Sequence, residues 1–193
     1  MRLKQWINDL LRWTGYRLTR IPSLENDIAS GKYRWLRERS SATVLDVGAN
    51  EGQFAELARR LFPSAMIYSF EPLPSCYSVL EKKATSLAPM QCFPCALGKE
   101  AGTAMIHHNA FSASSSLLPM GRRHLEAFPH TRNTRREEIS VRALDEVARE
   151  LSLVTPILLK VDVQGFELQV LAGAIKTLQR VVTFCQRYGV AKL

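Results

Sequence analysis

The stretch VLDVGANEGQFA, residues 44–55, joins an apolar run to a loop of small and polar residues. Glycine lacks a Cβ atom, so the backbone of such a loop can turn sharply and a ligand can approach it closely. The N–H groups that open the following helix would point toward that ligand. Residues suited to ligand binding occupy every second position of the loop, namely Asp46, Gly48, Asn50 and Gly52. The carboxylate of Asp46 would either hold the loop or accept hydrogen bonds from an ammonium group or water.

A second chemical group, the carboxylate of Glu71, follows the next apolar run in the stretch IYSFEPLP. In dinucleotide-binding folds, an acidic residue after the second strand binds the hydroxyls of a ribose. An exposed carboxylate is the alternative, but the glycine loop upstream favours ribose binding. The chain contains neither GxGxxG, which admits a pyrophosphate, nor the phosphate-binding GxxxxGK(S/T). The pattern DxGxNxG with Glu71 therefore predicts a ligand with an adenosine, an amino-acid end and no phosphate, namely S-adenosylmethionine.

The elements that must position these residues follow from the alternation of apolar runs with helical patterns. Repeated strand–helix units predict an α/β fold, with a mainly parallel sheet and helices on both faces. TAMIHH and EISVRAL predict an antiparallel pair of strands. The parallel strands are expected at 43–47, 66–70, 91–98, 157–163 and from VVTFC, and the helices at 53–61, 75–87, LDEVARELSL and FELQVLAGAIKTL.

On these motifs, the chain resembles the FkbM-type methyltransferases, a branch of the S-adenosylmethionine-dependent enzymes with a Rossmann-like class I fold. The resemblance extends over roughly residues 40–180 and rests on VLDVGANEGQFA, IYSFEPLP, ALGKEAGTAMI, SSSLL and LLKVDVQGFELQVLAGA. It implies methyl transfer to oxygen, often to a hydroxyl of a sugar or of a natural product. Residues 40–193 are then the S-adenosylmethionine-binding methyltransferase domain, and residues 1–39 are expected to form an N-terminal helical segment.

The same resemblance implies roles for single residues of the domain. Glu71 would hold the ribose, and Asp162 would face the transferred methyl group. The other cofactor-binding residues that it implies are Asp46, Gly48, Asn50 and Gly52 at the methionine end, and Ala96 and Leu97 at the adenine edge.

Methyl transfer from a sulfonium is an in-line displacement, which needs an aligned acceptor and is helped by a general base. Asp162, at the end of the fourth strand, is the predicted base. Glu167 follows it and either complements the dipole of its helix or contacts the substrate. No spacing of ligand residues calls for a metal, and none is predicted. Further base candidates, each interpreted first as a solvated side chain, are His107, His108, His124 and His130. Ser114, Ser115 and Ser116 match the serine-rich turn of the family, which implies contact with cofactor or substrate, with a polar turn as the alternative.

The resemblance weakens in the last stretch, VVTFCQRYGVAKL, where family members continue with further strands. The last strands of the sheet are therefore expected to be missing and the domain to be incomplete at its C-terminus. Two functions remain open: an O-methyltransferase for a sugar or other small hydroxylated metabolite, and a truncated, inactive remnant that retains at most cofactor or partner binding. An RNA methyltransferase is disfavoured because no RNA-binding module accompanies the basic residues, and a dehydrogenase is disfavoured by the missing GxGxxG.

Composition limits the partners and the compartment. The 193 residues suffice for one α/β domain, and a net charge of +8 favours anionic partners. The basic stretch 121–138 is interpreted as a solvated loop, with a lid over a phosphorylated or acidic substrate as the minor alternative. Four cysteines indicate reduced thiols and a cytoplasmic location, with a metal or redox role for Cys92 and Cys95 as the minor alternative. The first 20 residues, which form a basic helical pattern, either pack on protein or lie on a membrane surface.

Overall fold

The structure is a computed structural model that describes residues 33–108, 135–163, 165–186 and 189–191. The chain divides into two compact units, Met1–Glu38 and Arg39–Leu193. Within the first unit, the described residues contain one short helix, α1 (Arg34–Arg37). The predicted N-terminal membrane or partner helix lies outside the described residues, and so do most of the basic stretch and the three serines.

The second unit contains the alternating strands and helices that the sequence predicts. Three elements have the predicted bounds: the strands at 43–47 and 66–70 and the helix at 53–61. In chain order the described elements are β1 (Thr43–Val47), α2 (Gln53–Leu61), β2 (Met66–Phe70), α3 (Pro74–Ala84), β3 (Met90–Phe93), β4 (Ala96–Gly98), β5 (Gly102–His108), β6 (Arg135–Ala143), α4 (Leu144–Val147), β7 (Ile157–Val161), α5 (Glu167–Ala172), α6 (Ile175–Leu178), β8 (Val181–Gln186) and β9 (Gly189–Ala191).

The larger sheet has the strand order β3-β2-β1-β7-β8-β9 within the described part of the chain. Its first five strands are parallel, and β9 is antiparallel to β8. Strands β2 and β3 extend the sheet on one side of β1, whereas β7 and β8 extend it on the other. Ligands of such sheets bind beyond the carboxyl ends of the strands, where the order reverses. This topology confirms the predicted Rossmann-like α/β fold and identifies the ends of β1 and β7 as the expected site.

The core explains why these strands are nearly continuous apolar runs. Side chains of β1 and β7 on one face of the sheet pack with Leu144 of α4 and Val170 of α5, and all of them are almost fully buried. Phe54 of α2 lies on the opposite face, near Lys160. Helices therefore cover both faces, as parallel sheets require. Within the described ranges, no helix has the length and apolar character needed to cross a membrane.

A smaller sheet with the order β4-β6-β5 stands beside the first. Strands β5 and β6 are antiparallel over Gly102–His108, which confirms the predicted pair. The single strand predicted at 91–98 is wrong, because β3 and β4 belong to different sheets. Pro94 separates them, since proline cannot donate a hydrogen bond to a sheet ladder. The chain turns there, and Cys95 N donates a 2.9 Å hydrogen bond to Phe93 O.

The helix predicted over FELQVLAGAIKTL is also wrong in detail, because it consists of two short helices, α5 and α6, separated at Gly173. A Cβ atom on Gly173 would lie 2.0 Å from the backbone oxygen of Gly98 in β4. This approach of two backbones explains the glycine at this position. The helix predicted at LDEVARELSL spans only Leu144–Val147, and the one predicted at 75–87 spans Pro74–Ala84.

Helix α6 is capped by a side chain from another element, Asp145 of α4. The carboxylate accepts hydrogen bonds from Lys176 N at 2.9 Å and from both Thr177 N and Thr177 Oγ1 at 2.7 Å. Partial burial raises the pKa of Asp145, but these hydrogen bonds outweigh it and bring the pKa below its ordinary value. The cap therefore joins α4 to α6 most strongly when Asp145 is ionised.

Asp145→Asn is expected to lower the free energy of unfolding by about 0.5–1 kcal/mol at neutral pH, because the amide keeps one acceptor oxygen but loses the negative charge at the start of α6 and the second acceptor. The folded-state pKa lies below the unfolded value of about 3.9, so the stabilisation is present above that value and is lost as pH falls through the folded-state pKa. Urea unfolding at pH 7 and near pH 3 measures the difference in free energy of unfolding between the wild type and the variant, and this difference should be smaller at the lower pH. Glu146→Gln, on the exposed side of the same helix, is the control. A difference in free energy of unfolding that stays constant with pH would contradict a stabilising role for the ionised Asp145.

Candidate functional site

The loop after β1 is fixed to the end of β2. Gly48 N and Ala49 N both donate hydrogen bonds to Phe70 O, at 3.1 and 3.0 Å. Gly48 and Asn50 have left-handed backbone conformations, with φ of 73° and 51°. A Cβ atom on Gly48 would lie 2.2 Å from the backbone oxygen of Asp162, so only glycine fits there. The loop thus passes tightly between the ends of β2 and β7.

Glu71 connects the second predicted binding element to this loop. Its side chain is buried, with 5% exposure, and its Oε2 accepts a 2.8 Å hydrogen bond from Asn50 N. Its Oε1 accepts a 3.0 Å hydrogen bond from Leu73 N. Burial raises the pKa of Glu71, although the two backbone hydrogen bonds and the nearby Lys160 counteract part of this effect. The carboxylate therefore orders the loop and the turn after β2 at the same time.

Asp46 is fully buried below the loop and forms an ion pair with Lys160 of β7. The Lys160 Nζ atom lies 2.9 Å from Asp46 Oδ1, and Ser69 Oγ lies 3.4 Å from Asp46 Oδ2. Lys160 also donates hydrogen bonds to the backbone oxygens of Val47 at 3.2 Å and Gly48 at 2.6 Å. Of the two roles considered for Asp46, this geometry supports holding the loop.

Sequence reasoning missed Lys160. The signal was a lysine inside the otherwise apolar strand ILLKV, together with an aspartate inside the apolar strand TVLDV. A buried charge needs a partner, and these two strands are neighbours in the sheet. Pairing the two charges in advance required knowledge of the strand order.

Asn50 presents an unused acceptor next to Glu71. Its Oδ1 atom is buried and has no hydrogen-bond partner among the described residues. Buried polar atoms are nearly always satisfied, so an exception calls for an explanation. A donor from a ligand at the loop would satisfy this atom.

Asp162 follows directly after β7 and is only partly buried. Its backbone N donates a 3.0 Å hydrogen bond to Val47 O, which places it beside the loop at Gly48. Glu167 opens α5, and its Oε1 accepts a 3.1 Å hydrogen bond from Gly165 N. This contact gives Glu167 a local role in the turn, in keeping with the helix-start interpretation.

The structure brings together five of the eight predicted site residues: Asp46, Gly48, Asn50, Glu71 and Asp162. Gly52 ends the same loop, where its N donates a 2.9 Å hydrogen bond to Ala49 O, and a Cβ atom on it would lie 3.0 Å from Leu80 of α3. Ala96 and Leu97 lie in β4, with their side chains buried in apolar clusters. Their roles at the adenine edge stay predictions, as do the ligand contacts of the first five.

Cys92 and Cys95, the two residues of the CxxC pattern, are free thiols. Burial raises the pKa of each to about 11, so both are protonated at neutral pH. A raised pKa makes a thiol a poor nucleophile and a poor metal ligand. Nothing in the geometry of this pair adds chemistry to the site.

One connected site lies where the strand order of the sheet reverses. It consists of the loop after β1, the turn after β2 that contains Glu71, and the end of β7. A family model of the methyltransferase FkbM domain matches residues 46–190, from Asp46 into β9. The chain belongs to the FkbM methyltransferase family. The match includes every residue of the site described above.

Three curated proteins show how this FkbM domain compares with relatives. The chain is 32% identical over 157 residues to Methyltransferase sdnD of Sordaria araneosa, which covers 69% of the chain and 61% of that protein. It is 27% identical over 151 residues to 2-O-methyltransferase NoeI of Sinorhizobium fredii, covering 75% and 62%. It is 27% identical over 142 residues to Methyltransferase 1 of Beauveria bassiana, covering 67% and 57%. The chain spans about three fifths of the length of these relatives. No solved structure matches it.

Proposed function

We propose that this chain binds S-adenosylmethionine at the β1 loop and transfers its methyl group to a hydroxyl of a sugar or another small hydroxylated molecule. The hydrogen bond from Asn50 N to Glu71 carries the proposal, because it joins the two predicted cofactor-binding elements at the ligand position of the fold. Membership of the FkbM family supports methyl transfer. The relative named 2-O-methyltransferase supports a hydroxyl acceptor.

The residues present fit this cofactor. The carboxylate oxygens of Glu71 each accept one backbone hydrogen bond and keep a lone pair for the hydroxyl donors of a ribose. The unused Oδ1 atom of Asn50 suits the ammonium group of the methionine end. At Gly48 the absent side chain lets the loop run against the backbone of Asp162.

When bound, S-adenosylmethionine supplies a methyl group on a positively charged sulfur. The chain must then align an acceptor oxygen with that group and hold the proton that the hydroxyl gives up. Asp162 is the proposed base, because it is partly exposed at the end of β7 and lies beside the loop that would hold the methionine end. An acidic side chain at this position also favours the cationic sulfur electrostatically.

Glu71→Gln is expected to weaken binding of S-adenosylhomocysteine, the demethylated cofactor, about ten- to a hundredfold. Hydrogen bonds to a charged group contribute about 1.5–3 kcal/mol, and the variant loses the charge and one acceptor. Isothermal titration calorimetry on the 193-residue chain measures this. Glu81→Gln, an exposed carboxylate on α3, is the matched control and should bind as the wild type does. Equal affinities for all three proteins contradict the placement of the ribose.

A second measurement separates an enzyme from a protein that only binds the cofactor. The chain is incubated with S-adenosylmethionine and a panel of methyl glycosides, and release of S-adenosylhomocysteine is followed. Release that depends on a glycoside supports the proposed O-methyltransferase. Binding in the titration without release for any acceptor favours the alternative of an inactive family member that retains cofactor binding.

A further inference from the structure

Five adjacent parallel strands align one residue each at the same level, one position before each strand ends, and the three central residues of this row, Ser69, Asp46 and Lys160, are polar and buried. The register pairs these residues directly from strand to strand: Cys92, Ser69, Asp46, Lys160 and Cys185. Because side chains alternate along a strand, the row occupies one face of the sheet, the face near Phe54 of α2. The row thus lies directly beneath the loop that follows β1.

The ammonium group of Lys160 contacts atoms beyond this row, toward the loop after β1. It pairs with Asp46 in the row, and it also donates hydrogen bonds to the backbone oxygens of Val47, the last residue of β1, and Gly48, the first residue of the loop. Its Nζ atom lies 5.7 Å from the centre of the Phe54 ring, and the residue is buried, with 8% exposure. The ammonium therefore links the carboxylate of Asp46 to the backbone at the start of the loop.

Stability alone gives little reason for a buried ion pair in the two central strands. Apolar side chains of similar volume usually stabilise such a position as well or better. The contacts of Lys160 indicate another role. Gly48 N is held by Phe70 O and Gly48 O is held by Lys160, so the peptide groups on both sides of this glycine are fixed. Fixing both sets the left-handed conformation that presents Asn50 N to Glu71.

We propose that Lys160 is a positioning residue for the cofactor loop, and that Asp46 acts mainly by holding Lys160 rather than by contacting the ligand. This inference rests on the proposed function. In this proposal, the hydrogen-bond donor at residue 160 keeps the backbone of Val47 and Gly48 in its binding conformation. The charge pair as such does not. The ammonium of the ligand would then be recognised by Asn50 and not by Asp46.

The test replaces both charges at once, in Asp46→Asn/Lys160→Met, so that no unpaired charge stays buried. Three quantities are measured: the melting temperature, the dissociation constant for S-adenosylhomocysteine, and amide hydrogen exchange of residues 47–52 without ligand. We expect a melting temperature close to that of the wild type, binding weaker by about tenfold or more, and faster exchange confined to this loop. The double variant Asp46→Asn/Lys160→Gln keeps a donor at residue 160 and should bind with intermediate affinity.

Lys99→Met is the control, because Lys99 forms an exposed 3.1 Å ion pair with Glu100, outside residues 47–52. It should leave binding and loop exchange unchanged. Wild-type affinity in the methionine double variant overturns the proposal. Failure of both double variants to fold overturns it as well, since Lys160 would then serve the whole fold. If the wild type itself does not bind S-adenosylhomocysteine, the proposed function fails. Hydrogen exchange still tests the positioning role in that case, because unchanged exchange of residues 47–52 in the double variants contradicts it.

Discussion

Gly48→Ala is expected to abolish measurable binding of S-adenosylhomocysteine and to destabilise the chain. The residue has a φ of 73°, which costs an alanine roughly 1–2 kcal/mol. The larger effect comes from the 2.2 Å approach between the new Cβ atom and the backbone oxygen of Asp162. Backbone cannot move aside as a side chain can, so the loop must separate from the end of β7. That movement would break the arrangement of Asn50 and Glu71.

The control for this prediction is Gly102→Ala. A Cβ atom on Gly102, in β5, would meet nothing within 4 Å. This variant should keep the wild-type affinity and change the free energy of unfolding by no more than about 0.5 kcal/mol. Calorimetry and urea unfolding on both variants measure the two effects. Wild-type binding by Gly48→Ala would show that the ligand does not depend on this loop.

Asp46→Ala is expected to lower the free energy of unfolding by about 3–5 kcal/mol, because it leaves the buried ammonium of Lys160 without its counter-charge. Urea unfolding at neutral pH measures this loss. Adding Lys160→Met to the same protein should recover part of it, since the unpaired charge is then removed. A double variant less stable than Asp46→Ala alone would contradict this explanation.

Glu56→Ala is the matched comparison for that prediction. This substitution also deprives a lysine, Lys83, of its partner, but both side chains of the pair are about a third exposed. Water and salt screen such a pair, and its loss should cost less than about 1 kcal/mol. The contrast between the buried pair and the exposed pair isolates the cost of burial.

The sequence predicted those parts of the fold that depend on local patterns. TVLDV, MIYSF and the helix at 53–61 are apolar runs and periodic segments bounded by glycine, proline or polar residues, and their bounds are as predicted. The interruption at Gly173 was missed although glycine is a local signal for a helix end, whereas the contact of Gly173 with Gly98, far away along the chain, has no local signal. A periodic sequence does not reveal which backbone will lie against it.

The same distinction applies to the candidate site. Gly48, Asn50 and Glu71 were predicted because their spacing after two strands has a chemical meaning by itself. Lys160 was missed because its meaning depends on a neighbouring strand, β1, that is more than a hundred residues earlier in the chain. Ala96 and Leu97 came from resemblance alone, and the structure gives their side chains apolar neighbours.

The contact between Gly98 and Gly173 limits which substitutions a protein engineer can introduce at the junction of β4 and α5. The obstacle at Gly173 is a backbone oxygen, so no repacking of side chains creates room there. The nearest obstacles at Gly98 are side chains, Val141 Cγ1 at 2.8 Å and Phe166 Cε1 at 3.3 Å. A designed library can therefore vary Gly98 together with Val141, whereas it has to keep Gly173 fixed.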